Sequence, residues 1–211
     1  AEWCGGLTPS MAENKFWEGG TIPWISSGDV LTLGTRGGQK MVTREAVSET
    51  SLRVMPAGTV LIVVRSGILA HTLPVAVLTE PSTINQDIKA ATPRHSIESV
   101  FLKLLLQSSS DQILQQCRKS GTTVQSISTD TLMKFRCLLP PLGQQKRIVD
   151  LVSSVDAYID CLQQRTTAVR TSRNALLHEL LNGGSDGWVE TTLGQVLEIS
   201  RGGSPRPIQN F

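Results

Sequence analysis

A mixed α/β (α+β) globular domain followed by a long coiled-coil-forming α-helix is the fold class that the sequence predicts. Three observations carry it. Residues 1–142 mix β-branched residues with Gly, Ser and Thr; residues 143–182 contain neither Pro nor Gly after Gly143; and apolar residues recur through that second stretch at helical intervals.

Within the first zone, Thr59-Val60-Leu61-Ile62-Val63-Val64 is an unbroken apolar run of strand length, which predicts a strand buried on both faces. Val75 to Thr79 predicts a second strand after the turn-prone Gly67 to Pro74 stretch. From Ser99 to Lys119, Val100, Leu104, Ile113, Leu114 and Cys117 have helical spacing, interrupted at Ser108-Ser109-Ser110, where Ser110 or Asp111 can cap a second short helix. Pro141 fixes φ at the entrance to the long helix, so Leu139 to Leu142 reads as a hinge. Gly183-Gly184-Ser185-Asp186-Gly187 reads as the stop.

The helix is the most regular element. Ile148, Val152, Val155, Ile159, Leu162, Thr166, Val169, Arg173, Leu176 and Leu180 follow one another at alternating intervals of four and three, and eight of the ten are apolar. That is a heptad seam, suited to pairing with another helix; a helix folded back on its own domain would give the same periodicity. At ~1.5 Å per residue the rod is roughly 60 Å long, more than a compact domain of ordinary size covers. Thr166 and Arg173 would then be register-setting polar residues.

At 211 residues the chain is one large domain, or one domain with an appendage. Cys4, Cys117, Cys137 and Cys161 and the three histidines, His71, His95 and His178, are scattered. No zinc site or disulfide framework is suggested, and reduced thiols in a cytoplasmic protein are the simplest expectation. The longest run without a charge in the apolar middle, Val54 to Val64, is broken by Pro56 and Gly58 and is far short of the ~18 apolar residues of a membrane span. The opening residues do not have the basic, apolar and small-residue pattern of a signal sequence, so export is not expected. The net charge of +2 neither announces nor excludes a nucleic-acid partner, and all of it falls in residues 1–142, where 13 Lys+Arg face 11 Asp+Glu.

Catalytic motifs are missing. There is no G-x-x-x-x-G-K-[ST] and no G-x-G-x-x-G, and Lys119-Ser120-Gly121-Thr122-Thr123 has P-loop letters in the wrong order. Leu139-Pro140-Pro141-Leu142 superficially resembles the N-P-P-[YF] tetrad of amino-methyltransferases, but Leu139 has no carboxamide to hold an amino group. His178-Glu179 lacks the second His that a zinc site needs.

One long-range echo stands out. Cys4-Gly5-Gly6-Leu7-Thr8-Pro9-Ser10 is matched, 197 residues on, by Arg201-Gly202-Gly203-Ser204-Pro205-Arg206-Pro207, as though a second unit were starting. Taken in order, five blocks resemble successive landmarks of the specificity (S) subunits of type I restriction-modification systems. They are residues 16–29 (Phe-Trp-Glu-Gly-Gly-Thr-Ile-Pro-Trp-Ile-Ser-Ser-Gly-Asp), Val63 to Gly67, Ile84-Asn85-Gln86-Asp87-Ile88, Ser120 to Ser128, and residues 139–149 (Leu-Pro-Pro-Leu-Gly-Gln-Gln-Lys-Arg-Ile-Val). Gly187-Trp188-Val189-Glu190-Thr191-Thr192-Leu193-Gly194 is similar to the opening of a target-recognition domain in that family.

The resemblance implies a DNA target-recognition domain at residues 1–142, a conserved spacer helix at 143–182, and at 183–211 a linker with the opening segment of a second domain or of the same one. It implies one half of a bipartite double-stranded DNA site as target, with methyltransferase (M) and restriction (R) subunits as partners. It implies no catalysis and no cofactor in this chain, S-adenosylmethionine belonging to the M subunit. Only one recognition domain is present, and the Trp-x-x-x-x-Leu-Gly opening stands at Trp188 to Gly194 rather than ahead of residue 5. A truncated subunit, a fragment, or a half-size subunit would each look like this. On the half-size reading, residues 188–204 pack against the domain formed by residues 5–140, and two chains form a homodimer through Ile148, Val152, Val155, Ile159, Leu162, Val169, Leu176 and Leu180.

DNA reading needs side chains that reach base edges, and cations or amides on phosphates. The candidates are Thr35, Arg36, Gln39, Lys40 and Arg44 in the segment after Asp29; Arg65, Ser66 and His71 after the buried strand; and Arg118, Lys119 and Ser120. Gly34, Gly37 and Gly38 would let the first loop approach a duplex closely. Trp17 and Trp24, set among Ile22 and Ile25, read as core rather than base-stacking residues, and Asp29 as a turn or cap acceptor. The alternative function is a protein-interaction module, a decoy or regulator of such a complex that does not read DNA. Replacing Arg36 and Lys40 together with Ala is expected to weaken DNA binding by the assembled complex; unchanged affinity at low salt would remove that loop from the interface.

Overall fold

The computed structural model describes residues 2–33, 38, 40–119, 124–183, 187–198, 200 and 202. The chain divides into two units, Ala1–Asp156 and Ala157–Phe211. In the first, β1 (Glu2–Gly5), β7 (Ile88–Thr92), β4 (Val60–Val63) and β5 (Val75–Val77) form an antiparallel sheet in the order β1-β7-β4-β5. A smaller sheet has the order β3-β2-β6, with β2 (Ile22–Ile25) antiparallel to β3 (Lys40–Val42) and parallel to β6 (Thr83–Ile84).

The continuous apolar run becomes the central strand β4, and its alternation explains why every position is apolar. Val60, Ile62 and Val64 face one core, shared with Leu106, Ile113, Leu114, Cys117, Ile127 and Leu132. Leu61 and Val63 face the other, shared with Ile25, Ile84, Ile88 and Ala90. A strand covered on both faces has no position left for a polar side chain. A third core, of Phe16, Trp24, Val42, Ala46 and Leu52, surrounds α1 (Arg44–Glu49), whose first turn is capped by Thr43 Oγ1 accepting from the Ala46 N–H at 3.2 Å. Trp17 and Trp24 meet edge to face, ring centroids 5.3 Å apart, in this third core. Their indole N–H groups donate to Ser10 O and Leu7 O, each at 3.0 Å, so both act as core residues.

The Ser99 to Lys119 stretch forms α2 (Ser99–Ser108) and α3 (Ser110–Cys117). The break falls at the serines, but the expected cap does not form. Residue 109 flanks α3 without a side-chain cap, and Ser110 lies inside the helix, where its Oγ accepts from the Leu73 N–H at 3.0 Å. That hydroxyl ties α3 to the chain entering β5 instead of closing a helix end. Asp29 is a turn acceptor: Oδ2 receives the Ser26 N–H at 2.9 Å and the Ser26 hydroxyl at 2.6 Å, and it makes no helix-cap bond. The short α4 (Thr129–Met133) is capped by Ser128.

The long helix α5 runs from Leu142 to Asn182, directly after Pro141, whose carbonyl accepts from the N–H groups of Gln144 and Gln145. Gly183 follows, its N–H on Glu179 O at 2.9 Å. The start of α5 is anchored by Gln145, a fully buried polar side chain. Its Oε1 accepts from the Glu98 N–H at 3.0 Å, and its Nε2 donates to Ser96 O at 3.0 Å and Pro140 O at 2.8 Å. Glu98 in turn caps α2, its carboxylate accepting from the Phe101 N–H at 2.6 Å. One carboxamide therefore locks hinge, helix start and the 96–98 turn together. Further along, Ile148, Val155, Ile159, Leu162, Val169, Leu176 and Leu180 are all exposed, from 41% at Ile148 to 68% at Val169, and Val152 is half-buried.

In the second unit, α6 (Leu193–Val196) begins with a capping box. The Thr192 side chain accepts from the third-position N–H, and Gln195 Oε1 accepts from the Thr192 N–H at 3.1 Å. Trp188, Val189, Leu193, Val196 and Leu197 are exposed. Among the described residues no helix is long and apolar enough to cross a membrane.

Gln145→Leu is expected to destabilise the first unit by about 1–3 kcal/mol, because it strands a buried N–H and two carbonyls. A fall in the urea midpoint at unchanged m-value would show it; an unchanged midpoint would mean that the carboxamide anchors nothing.

Candidate nucleic-acid interface

Strand directions bring the polar loops to one end of the domain. The C-terminal end of β4 lies beside the N-terminal ends of β7 and β5, through the pairs Val63↔Ile88 and Ile62↔Val75. The C-terminal end of β1 joins them through Gly5↔Lys89. The parallel strands β2 and β6 finish at the same end, since Asn85, which follows β6, donates its N–H to Ile25 O at 3.0 Å and is two residues from Asp87, the approach to β7. Residues 5–10, 26–33, 64–74 and 85–87 are therefore neighbours.

A further segment is stitched to this end. Residues 124–128 pair with both the 64–66 and the 117–119 stretches, through bridges Arg65↔Ser126 and Arg118↔Ile127. Ser66 N–H donates to Gln125 O at 3.0 Å, Lys119 N–H to Ser126 O at 2.9 Å, and Ser128 N–H to Cys117 O at 2.8 Å. Two sequence-predicted groups 53 residues apart, Arg65-Ser66 and Arg118-Lys119, thus lie on either side of one ribbon. His71 joins them: it and Arg118 line a recess of about 430 Å³ with Ala70, Asp111, Leu114 and Gln115.

The individual side chains divide by task. Ser66 Oγ caps a short 3-10 turn by accepting from the Ile68 N–H at 3.5 Å. Arg118 Nη2 donates to Leu69 O at 3.1 Å, closing that turn onto the ribbon. Arg65, its side chain 56% exposed, gives its Nε–H to Asp87 Oδ1 at 2.6 Å. Lys119 and His71 are exposed. Lys40 opens β3 opposite Trp24, at the same end as the other loops, with its ammonium 5.6 Å from the Trp17 ring centroid.

Arg44 lies elsewhere. β3 runs back along β2, so Arg44 follows the opposite end of the small sheet, where it lines a recess with Lys15, Glu18, Gly19, Thr21, Thr43 and Glu45. There Lys15 pairs with Glu49, whose hydrogen-bonded carboxylate raises the Lys15 pKa above its ordinary value. The structure therefore separates Arg44 from the cluster. Thr35, Arg36, Gln39 and Ser120 fall outside the described residues, as do Gly34 and Gly37.

The residues that organise this end were not among the sequence candidates. Asn85 is buried and forms a turn: its Oδ1 accepts from the Asp87 N–H at 3.1 Å, and its Nδ2 lies 3.5 Å from Asp87 Oδ2. The Asp87 carbonyl accepts from the N–H groups of Val64 and Arg65, at 2.8 and 3.3 Å. Thr8 Oγ1 donates to Gln86 Oε1 at 2.6 Å. Gly6 runs so close to this turn that a Cβ would sit 2.1 Å from Ile84 O and 2.3 Å from Asn85 O, which explains the second glycine of the Gly5-Gly6 pair. The Asn-x-Asp spacing in Ile84 to Ile88 is the sequence signal for such a turn. As a half-exposed ion pair, Arg65–Asp87 is worth at most about 1 kcal/mol to stability, so its effect is on where the guanidinium points. Among the described residues no three His, Cys, Asp or Glu side chains are grouped to hold a metal ion.

Comparison with known proteins identifies the family and the fold. A family model described as "Type I restriction modification DNA specificity domain" matches residues 4–171. The chain is 36% identical over 163 residues to the type I restriction enzyme EcoR124I/EcoR124II specificity subunit of Escherichia coli, covering 77% of this chain and 40% of that one. It is 30% identical over 162 residues to the MjaIX specificity subunit of Methanocaldococcus jannaschii, covering 75% and 36%. The chain thus spans about two fifths of the length of these relatives. The fold is similar to that of the type I restriction-modification S subunit from M. genitalium, with TM-score 0.55, 14% identity, and coverage of 85% of this chain and 42% of that one. It is also similar to a chain from a study of complex assembly and conformational transition of the type I R-M system, with TM-score 0.51, 23% identity, and coverage of 86% and 40%. The chain belongs to the type I restriction modification DNA specificity domain family, and the curated relatives matched here are specificity subunits, not catalytic ones.

Proposed function

We propose that this chain is a DNA-reading specificity subunit that recognises one half of a bipartite site and scaffolds the methyltransferase and restriction subunits of a type I restriction-modification complex in the cytoplasm. The observation that carries the DNA reading is the gathering of Arg65, His71, Arg118 and Lys119 from distant parts of the sequence onto one end of the domain. An end made of loops on a rigid pair of sheets can vary its contacts without disturbing the core. A net excess of two positive charges suffices for a subunit whose partners close around the duplex. Any S-adenosylmethionine would be held by the methyltransferase subunit.

The exposed seam supports the second half of the proposal. Seven apolar residues of one heptad stripe face solvent in the single chain, which favours a partner helix; a second copy of α5 restores a twofold arrangement of two recognition domains. Residues 188–198, which expose Trp188, Val189, Leu193, Val196 and Leu197, would then complete a recognition domain.

Mixing the chain with methyltransferase subunit and duplex DNA is expected to give a sequence-dependent shift that weakens steeply with salt, and methylation mapping would identify the half-site. Sedimentation of the chain alone at micromolar concentration is expected to give a dimer, and Leu162→Asp a monomer. A complex with methyltransferase that ignores DNA sequence would support the protein-interaction reading instead, and a monomeric unaltered chain would contradict the pairing.

A further inference from the structure

Asp87 is the unexpected residue on a face meant for DNA, because a carboxylate there repels phosphate. Its surroundings explain why it is tolerated. The Asp87 backbone is fixed by three hydrogen bonds, its N–H to Asn85 Oδ1 and its carbonyl from the N–H groups of Val64 and Arg65. Its carboxylate is only 19% exposed and takes the Arg65 Nε–H at 2.6 Å. Arg65 is therefore held at both its backbone and its side chain by the same residue, 22 positions away.

The contact uses Nε, the inner nitrogen of the guanidinium. Among the described residues Nη1 and Nη2 have no hydrogen-bond partner, and they lie at the outer end of a side chain that is 56% exposed. Two parallel N–H donors on a fixed plane match the oxygens of a phosphate. Residue 65, two positions past the end of β4, is also bridged to Ser126, so its backbone is paired rather than carried on a projecting loop. An arginine rooted there meets the duplex backbone, whereas base edges lie at the bottom of a major groove about 8.5 Å deep.

We infer that Asp87 is a positioning residue, which orients Arg65 so that its terminal nitrogens bind a DNA backbone phosphate. This rests on the DNA reading proposed above. It makes a prediction of unusual sign. Asp87→Asn removes a negative charge from the DNA-facing end, so electrostatics alone would tighten binding; loss of positioning weakens it.

The test is binding of the full chain to a random-sequence duplex several helical turns long, titrated at several salt concentrations. Arg65→Ala is expected to weaken binding about tenfold and to lower the salt slope by about one. Asp87→Asn is expected to weaken binding in the same direction, Asp87→Glu to restore part of it, and Asp87→Asn added to Arg65→Ala to cause no further loss. The near-ultraviolet signal of the Trp17–Trp24 pair reports whether each variant is folded; should Asp87→Asn unfold, Asp87→Glu against Arg65→Ala decides, since a folded Asp87→Glu that binds no better than Arg65→Ala overturns the inference. Equal or tighter binding by folded Asp87→Asn overturns it, as does a further loss in the double variant. If the unaltered chain fails to shift the duplex even at low salt, the DNA reading itself fails and the inference falls with it.

Discussion

Everything at the polar end of the domain depends on a three-residue connection. Asn85, Gln86 and Asp87 carry the chain from the small sheet to the large one, and their backbone bonds reach three elements: Asn85 bonds the end of β2 and the start of β7, and Asp87 the chain leaving β4. Backbone groups buried at such a crossing must all find partners, because each one left unpaired costs more than a formed hydrogen bond returns. The Asn85 side chain closes the turn internally, and Gly6 leaves the space for β1 to run alongside it. The order of loops around the end follows from this junction, and the ribbon at residues 124–128 then sets Arg118 and Lys119 beside Arg65.

The helix depends on a comparable polar lock at the opposite extreme of burial. Most of α5 is exposed, whereas Gln145 is wholly enclosed and makes three hydrogen bonds to backbone. A helix whose apolar seam faces outward has little hydrophobic attachment to the domain that precedes it. Directional bonds instead tie its first turn to the 96–98 segment and to Pro140.

The sequence made the periodic elements legible and left the junctions hidden. The run Thr59 to Val64 announces itself because burial on two faces imposes a pattern on consecutive residues, and the seam from Ile148 to Leu180 because its apolar residues recur at heptad intervals. Pro141 and Gly183 mark the helix ends for equally local reasons. By contrast, Ser110 resembles a cap and instead binds Leu73 across the fold, a partner that no local pattern identifies. Arg44 resembles its neighbours in charge, but the direction of β3 carries it to the far end of the small sheet. Arg65, His71 and Arg118 could be named from sequence, whereas their common location follows from the ribbon at residues 124–128, and the part of Asp87 from a side-chain contact 22 positions away.

The central claim is that DNA meets the end of the domain where β4, β2 and β6 finish. Hydrogen exchange of the full chain, with and without a bound duplex, tests this most directly. The account predicts slower exchange on DNA binding in residues 64–71, 117–119 and 124–127, with residues 13–21 and 43–49 unchanged. Protection of the recess around Lys15 and Arg44, with no change along the 124–127 ribbon, would contradict it.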